Sequence, residues 1–224
     1  MGTIFGMRRW LPLQGLAGGR PGACNELIVH RGDGSSRTLE LATSGALVRE
    51  GDWYEMRMAS GGGYGDPLDR EAAAVERDVT HGRFDAEVAR RSYGVAVGDP
   101  EATAALRERM RRDRLTRAQP ARKPLSAADV KIAGAAQPIY PGVLQRGAIA
   151  VAEQSGAPLA HAPDHWTDGC PTLIERRGDM DSPDIWYRTW LDPQSGRSLH
   201  VEAVVGDVER SFEVSPARWI HAAA

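Results

Sequence analysis

Hydrophobic and polar positions change rhythm twice along the chain. Early on, a short apolar run, Glu26-Leu27-Ile28-Val29-His30, leads into the turn Gly32-Asp33-Gly34. The chain then returns through the alternating Arg37-Thr38-Leu39-Glu40-Leu41, which predicts a β-hairpin. Trp53 to Met58 alternates as a half-buried strand would. After Ser60-Gly61-Gly62-Gly63-Tyr64-Gly65-Asp66-Pro67 the period becomes helical. Asp66-Pro67 predicts a helix start, because Asp caps free backbone N–H groups and Pro at the first position gives up no bond. Asp85 opens a second helix ending at Tyr93-Gly94, and Asp99-Pro100 a third, with Ala102, Leu106 and Met110 on one face and mostly Arg opposite. Strand-like stretches then return at Gly147–Val151, Ile185–Trp190 and Leu199–Val204. The predicted fold class is α+β: a small antiparallel β unit followed by helices, then a loop-rich β domain.

The Pro-, Ala- and base-rich run Gln119-Pro120-Ala121-Arg122-Lys123-Pro124 buries little and predicts an exposed linker. The expected organisation is residues 1–118, a linker over 119–145, and residues 146–224. A formal charge of −2 offers no basic excess for a run of phosphates, so nucleic acid is not an expected partner. No apolar run approaches the ~20 residues a membrane helix needs. The signal-like Met7–Gly15 stretch is broken by Pro12, Gln14 and Gly15, and is expected to belong to the mature protein. Two cysteines, Cys24 and Cys170, make neither a disulfide framework nor a four-thiolate site, which points to the reducing cytoplasm.

The densest candidate chemistry is the loop Gly61, Gly62, Gly63, Tyr64, Gly65 and Asp66. Glycines there permit successive amides to form an anion-binding nest ahead of a helix N-terminus. The competing reading is a tight strand-to-helix connection in which a Cβ would collide with a neighbouring subunit. The absence of Lys, Ser or Thr in P-loop register favours that connection. Arg20, within Gly18–Gly22, either grips a carboxylate bidentately or satisfies loop carbonyls. His161, His165 and Cys170 with Asp164 and Asp168 only loosely match a zinc site, and Pro158, Pro163 and Pro171 predict an exposed loop instead. No Gly-x-Ser-x-Gly elbow occurs. The basic face from Arg107 to Arg122 is either solvated or covers an acidic neighbour.

Taken in order, Gly15–Gly22, Gly51-Asp52, Gly61–Pro67, Asp78-Val79 and Tyr93-Gly94-Val95 resemble the C-terminal end of hydantoinase B/oxoprolinase proteins, a family that includes the large subunits of acetone and acetophenone carboxylases. The resemblance spans residues 11–97. The second half resembles the small gamma-type subunit of acetone carboxylases, which usually carries two Cys-x-x-Cys-Gly knuckles. Ala152-Glu153-Gln154-Ser155-Gly156 and Asp192-Pro193-Gln194-Ser195-Gly196 stand in their places, with His165-Trp166 and Leu199–Glu202 around them. Since Ala152, Ser155, Asp192 and Ser195 replace the thiolates, the resemblance implies a metal-free relative of a zinc ribbon. Trp166, Trp186, Trp190 and Leu199 would pack in the metal's stead.

For function, the resemblance implies an accessory, non-catalytic subunit of an ATP-dependent complex that hydrolyses or carboxylates a cyclic amide or ketone. Its partners would be hydantoinase A-type and B-type subunits in a hetero-oligomer. The chain itself would bind no cofactor, ATP and a divalent metal being expected in the partner subunits. No catalytic residue carries over. The alternative is a stand-alone module that binds a small anion at Gly61–Gly65.

Overall fold

The computed structural model describes residues 2–5, 8–46, 48–128, 130–176 and 185–206. Met7 of the signal-like stretch and residues 207–224 of the second expected region lie outside the described residues. Strand β1 (Gly2–Phe5) precedes the predicted hairpin of β2 (Glu26–His30) and β3 (Ser36–Leu39); β4 (Ala42–Ala46) pairs back with β1, and β5 (Trp53–Arg57) pairs with β2. Alternation places Leu27 and Val29 on one face of β2, where they meet Leu39 and Leu41 in a small core.

Strand β5 departs from expectation. It stays in register with β2, Leu27 opposite Met56 and Val29 opposite Tyr54, yet Tyr54 is 44% and Met56 61% exposed. It is an edge strand, and the core beneath stops at its inner neighbour, so it is not half-buried.

A correction also applies after Asp66. Its Oδ1 accepts from the Leu68 amide at 2.9 Å, but the structure it caps is a single 3₁₀ turn, Pro67–Asp69. Arg70 is extended again, and α1 (Ala72–Thr80) starts without a side-chain cap. The other helix signals match the structure. Asp85 caps α2 (Ala86–Tyr93), which ends at Gly94 with φ of 62°, and Asp99 caps α3 (Pro100–Arg117). Val75, Ala89 and Val95 form the core shared by α1 and α2. Helix α3 is held differently: Leu106 and Met110 are only half-buried, and its arginines cover acidic neighbours. Arg111 pairs with Asp69 at 2.6 Å, Arg114 with Asp66 at 2.6 Å and Arg117 with Glu175 at 2.9 Å.

In the second half, β6 (Ala136–Tyr140), β7 (Val143–Arg146), β8 (Ile149–Ala152) and β9 (Pro158–His161) form an antiparallel meander. A second sheet joins β10 (Thr172–Arg176), β11 (Ile185–Leu191) and β12 (Ser198–Val205). Strands β8, β11 and β12 follow the predicted runs, whereas no predicted run corresponds to β6, β7, β9 or β10. Tyr140, Val143, Leu159, Trp166, Cys170, Trp190 and Leu199 share a core, which Trp186 does not join.

The segment around Pro158–Pro171 is not an exposed loop throughout. His161 is exposed, but Leu159, Trp166 and Cys170 are buried, because a 3₁₀ turn over Trp166–Gly169 folds the chain back onto β9. Gly169 lies so close to the Leu159 carbonyl that a Cβ there would be 1.5 Å from its oxygen. The stretch 119–145 contains β6 and the start of β7. Its first residues are tied down by paired Gln119 and Thr172 backbone bonds and by the Lys123 amide donating to the Asp168 carbonyl at 2.8 Å. No helix among the described residues is long and apolar enough to cross a membrane.

Candidate functional site

The two glycine segments lie side by side. Leu16 and Tyr64 form a parallel bridge; the Leu16 amide donates to Gly63 O, Gly65 N to Leu16 O and Gly63 N to Arg20 O, at 2.8–2.9 Å. A Cβ on Gly62 would stand 2.0 Å from Gln14 O, and one on Gly19 2.1 Å from Gly63 O. At Gly19 and Gly62 glycine is required because backbone packs on backbone of the same chain. Gly61 and Gly65 meet nothing within 4 Å. Of the loop's amides, those of Gly63 and Gly65 are committed to carbonyls.

The paired segments sit on the second half. The Gln14 side chain donates to Ala203 O at 3.1 Å and accepts from Ala203 N at 2.9 Å, as a strand neighbour would. The Ala17 amide donates to the Tyr140 hydroxyl at 3.1 Å, and that hydroxyl is 2.9 Å from His200 Nδ1. Burial pushes the His200 pKa down to about 4, with the nearby His165 adding to the effect, so the ring is neutral near pH 7.

Asp66 is the hinge of this arrangement. Its carboxylate receives Arg114 on both oxygens, at 2.6 and 3.1 Å, the Leu68 amide at 2.9 Å and the Ser198 amide at 2.8 Å. Burial alone would raise its pKa. Arg114 and the two amides outweigh burial and hold the carboxyl below its ordinary value. Neighbouring Asp69 pairs with Arg111 and with Arg197 of the turn before β12.

Two adjoining cavities open beside the loop. One, of about 570 Å³, is bounded by Gly63, Tyr64, Gly65, Tyr93, Arg70 and Arg197. The other, of about 430 Å³, lies between α2, α3 and β10 and is lined by Arg20, Arg91, Arg109, Arg114, Arg117 and Glu175 among others. Arg20 lines both cavities; it lies 3.6 Å from Glu175 and over the Tyr187 ring. Arg109 belongs to the basic face that the sequence shows from Arg107 to Arg122, whereas Arg91, on α2, lies outside that face.

The His/Cys segment offers no comparable site. His165 Nδ1 accepts from the Thr167 amide at 3.3 Å and is 2.6 Å from the Thr167 hydroxyl; Asp164 pairs with Lys123. Burial, reinforced by Asp192 and Asp168, pushes the Cys170 thiol well up, so it stays protonated. Among the described residues, no group of three or more His, Cys, Asp or Glu is arranged to hold a metal ion. The turns at Ala152–Gly156 and Asp192–Gly196 share one geometry. In each, the glycine amide donates to the carbonyl four residues back at 2.9 Å, with glycine φ of 73° and 70°. In the second turn the Asp192 carboxylate accepts from the Gln194 amide at 2.9 Å and the Ser195 hydroxyl at 2.6 Å.

Among known proteins, the acetone carboxylase alpha subunit of Xanthobacter autotrophicus (strain ATCC BAA-1158 / Py2) is 37% identical over 97 residues, covering 38% of this chain and 12% of that protein. The chain therefore spans a small part of that relative's length. The nucleotide-free structure of acetone carboxylase, from work on the mechanism of ATP-dependent acetone carboxylation, matches with a TM-score of 0.42 and 26% identity over 48% of this chain and 19% of that one. Residues 2–67, which include both glycine segments and end at Pro67, match the family model of hydantoinase B/oxoprolinase.

Proposed function

We propose that this chain is an accessory subunit of an ATP-dependent complex of the hydantoinase/oxoprolinase or acetone/acetophenone carboxylase type, acting on a ketone or cyclic amide. In this reading it completes a B-type fold rather than carrying the active site alone. The observation that carries the reading is the family match over residues 2–67. Support comes from what that segment leaves uncovered: Leu11, Leu13 and Leu16 are exposed, as are Tyr54 and Met56 on the edge strand and Met58 just after it. Apolar side chains beside an unpaired strand edge suit a surface that a companion covers.

The companions in this proposal are a hydantoinase A-type subunit, which supplies the ATP site, and a B-type chain. ATP and a divalent metal belong to them, and the assembly works in the cytoplasm. The second half is inferred to be a gamma-like domain whose knuckles have lost their metal. The matched turn geometry at Gly156 and Gly196 supports this, with Asp192 accepting the turn's hydrogen bonds and Trp166, Trp190 and Leu199 packing nearby. Co-expression with the neighbouring A- and B-type chains and purification on a tag placed on this chain tests the proposal. Both companions should co-purify in fixed ratio and raise the soluble yield. A solitary, freely soluble chain from the native host overturns it, and stoichiometric zinc in the purified protein overturns the metal-free domain.

A further inference from the structure

We propose that the cleft between the end of α2, α3 and β10 binds a small phosphate-bearing molecule, with Arg91 and Arg109 as its principal contacts. The inference concerns this chain's own surface and stands whether or not companions are present.

The first reason is charge. Five arginines and two carboxylates, Asp113 and Glu175, line the cleft in a chain whose formal charge is −2. The second is how those charges are used. Arg114 is consumed by the buried Asp66, and Arg117 by Glu175 and Asp113. Arg20 reaches Glu175 only at 3.6 Å. Arg91 and Arg109 make no ion pair among the described residues. Guanidinium groups gathered in one cavity repel each other, and a multiply charged anion converts that repulsion into attraction.

The arginines also select the ligand class. One guanidinium fork satisfies the two oxygens of a carboxylate, whereas a phosphate monoester has three terminal oxygens and nearly two negative charges, and so engages several forks. A volume of about 430 Å³ exceeds what inorganic phosphate fills and falls in the range of small-ligand sites. The adjoining cavity, lined by Tyr64 and Tyr93, gives an aromatic surface for the organic part. Glu175 is the internal competitor: an arriving anion draws Arg20 away from it.

The test is calorimetric titration of the full-length chain, kept with any subunits that co-purify, using phenyl phosphate and benzoate as probes. Phenyl phosphate should bind saturably and more weakly as salt rises, with benzoate about tenfold weaker or worse. The double substitution Arg91→Ala and Arg109→Ala should weaken phenyl phosphate by about tenfold or more. Both side chains are exposed, so circular dichroism should not change. Arg112→Ala, which removes a residue paired with Glu108 outside the cleft lining, should leave binding unaltered. Glu175→Gln should tighten binding by releasing Arg20 and Arg117. The proposal falls if phenyl phosphate shows no saturable binding, if benzoate binds equally, or if the double variant binds like the parent. It also falls if Gly61→Ala abolishes binding while the double variant does not, since the anion would then sit on the glycine loop.

Discussion

Asn in place of Asp66 should be among the most damaging single substitutions in the chain. The carboxylate is fully buried and takes two bonds from Arg114, one from the Leu68 amide and one from the Ser198 amide. An amide side chain keeps the shape but loses the charge, and it turns one acceptor into a donor facing another donor. Removing one partner of a buried ion pair typically costs about 3–5 kcal/mol. The Arg114 side chain retains 18% exposure, so water relieves part of the loss and the lower end, about 3 kcal/mol, is expected. Pulse proteolysis across a urea gradient reads this at dilute concentration. The sign of the pH dependence follows from the depressed carboxyl. Its stabilisation is complete above the unfolded value of about 3.9 and is lost as pH falls through the lower folded value. The deficit of the Asn variant should therefore be flat from pH 6 to 8 and narrow only below about pH 4. A deficit under about 1 kcal/mol, or one that persists unchanged at pH 3, would refute the assignment of Asp66 as the buried tie between the halves.

Three other outcomes are expected. Gly62→Ala forces a Cβ to 2.0 Å from Gln14 O and should cost about 2–3 kcal/mol in urea unfolding, while Gly61→Ala, in open space, should stay within about 0.5 kcal/mol. Tyr140→Phe leaves the buried Ala17 amide without its acceptor and should cost about 1–3 kcal/mol by the same measurement, with proteolysis near residue 17 accelerated. His200, with its pKa near 4, stays neutral in the folded chain where an unfolded histidine takes up a proton. Stability should thus fall by up to about 3 kcal/mol between pH 6.5 and pH 4, and His200→Gln should flatten that slope; an unchanged slope would place the titration elsewhere.

What the sequence disclosed was local. The Asp85 cap with Gly94, the Asp99-Pro100 start, and the runs that became β2, β11 and β12 each carry their signal within a few residues, because capping and side-chain alternation are short-range effects. Strands β6 and β7 carry no such signal because Ala136-Gln137-Pro138-Ile139-Tyr140 and Val143-Leu144-Gln145-Arg146 have little alternation, and their partners supply the pattern. Glycine density at 61–65 was legible as a demand for close backbone approach. What approaches was not, since Gln14 and Leu16 lie far away in the chain. Asp66 was legible as a cap, and its cap bond to Leu68 is real. Its larger role depends on Arg114, 48 positions away, and Ser198, 132 positions away, which no local pattern encodes.

The distribution of apolar and polar contacts bears on how the chain is held together. Among the described residues, buried apolar side chains gather in three separate clusters: Leu27, Val29, Leu39 and Leu41; Val75, Ala89 and Val95; and the larger group around Trp166. Between them run directional polar ties: Gln14 to Ala203, Ala17 to Tyr140, Asp66 to Ser198 and Arg114, Asp69 to Arg197. Such bonds specify geometry well, but most contribute only about 1 kcal/mol net. Among its described residues, the segment matching the family model thus has a buried cluster of four, with an exposed apolar row at its edge strand and in its glycine loop. A core that small stabilises little by itself, since burial per residue falls steeply in small units. Polar ties to the second half set where this segment sits; a companion covering Tyr54, Met56 and Met58 would supply the apolar burial that those ties do not.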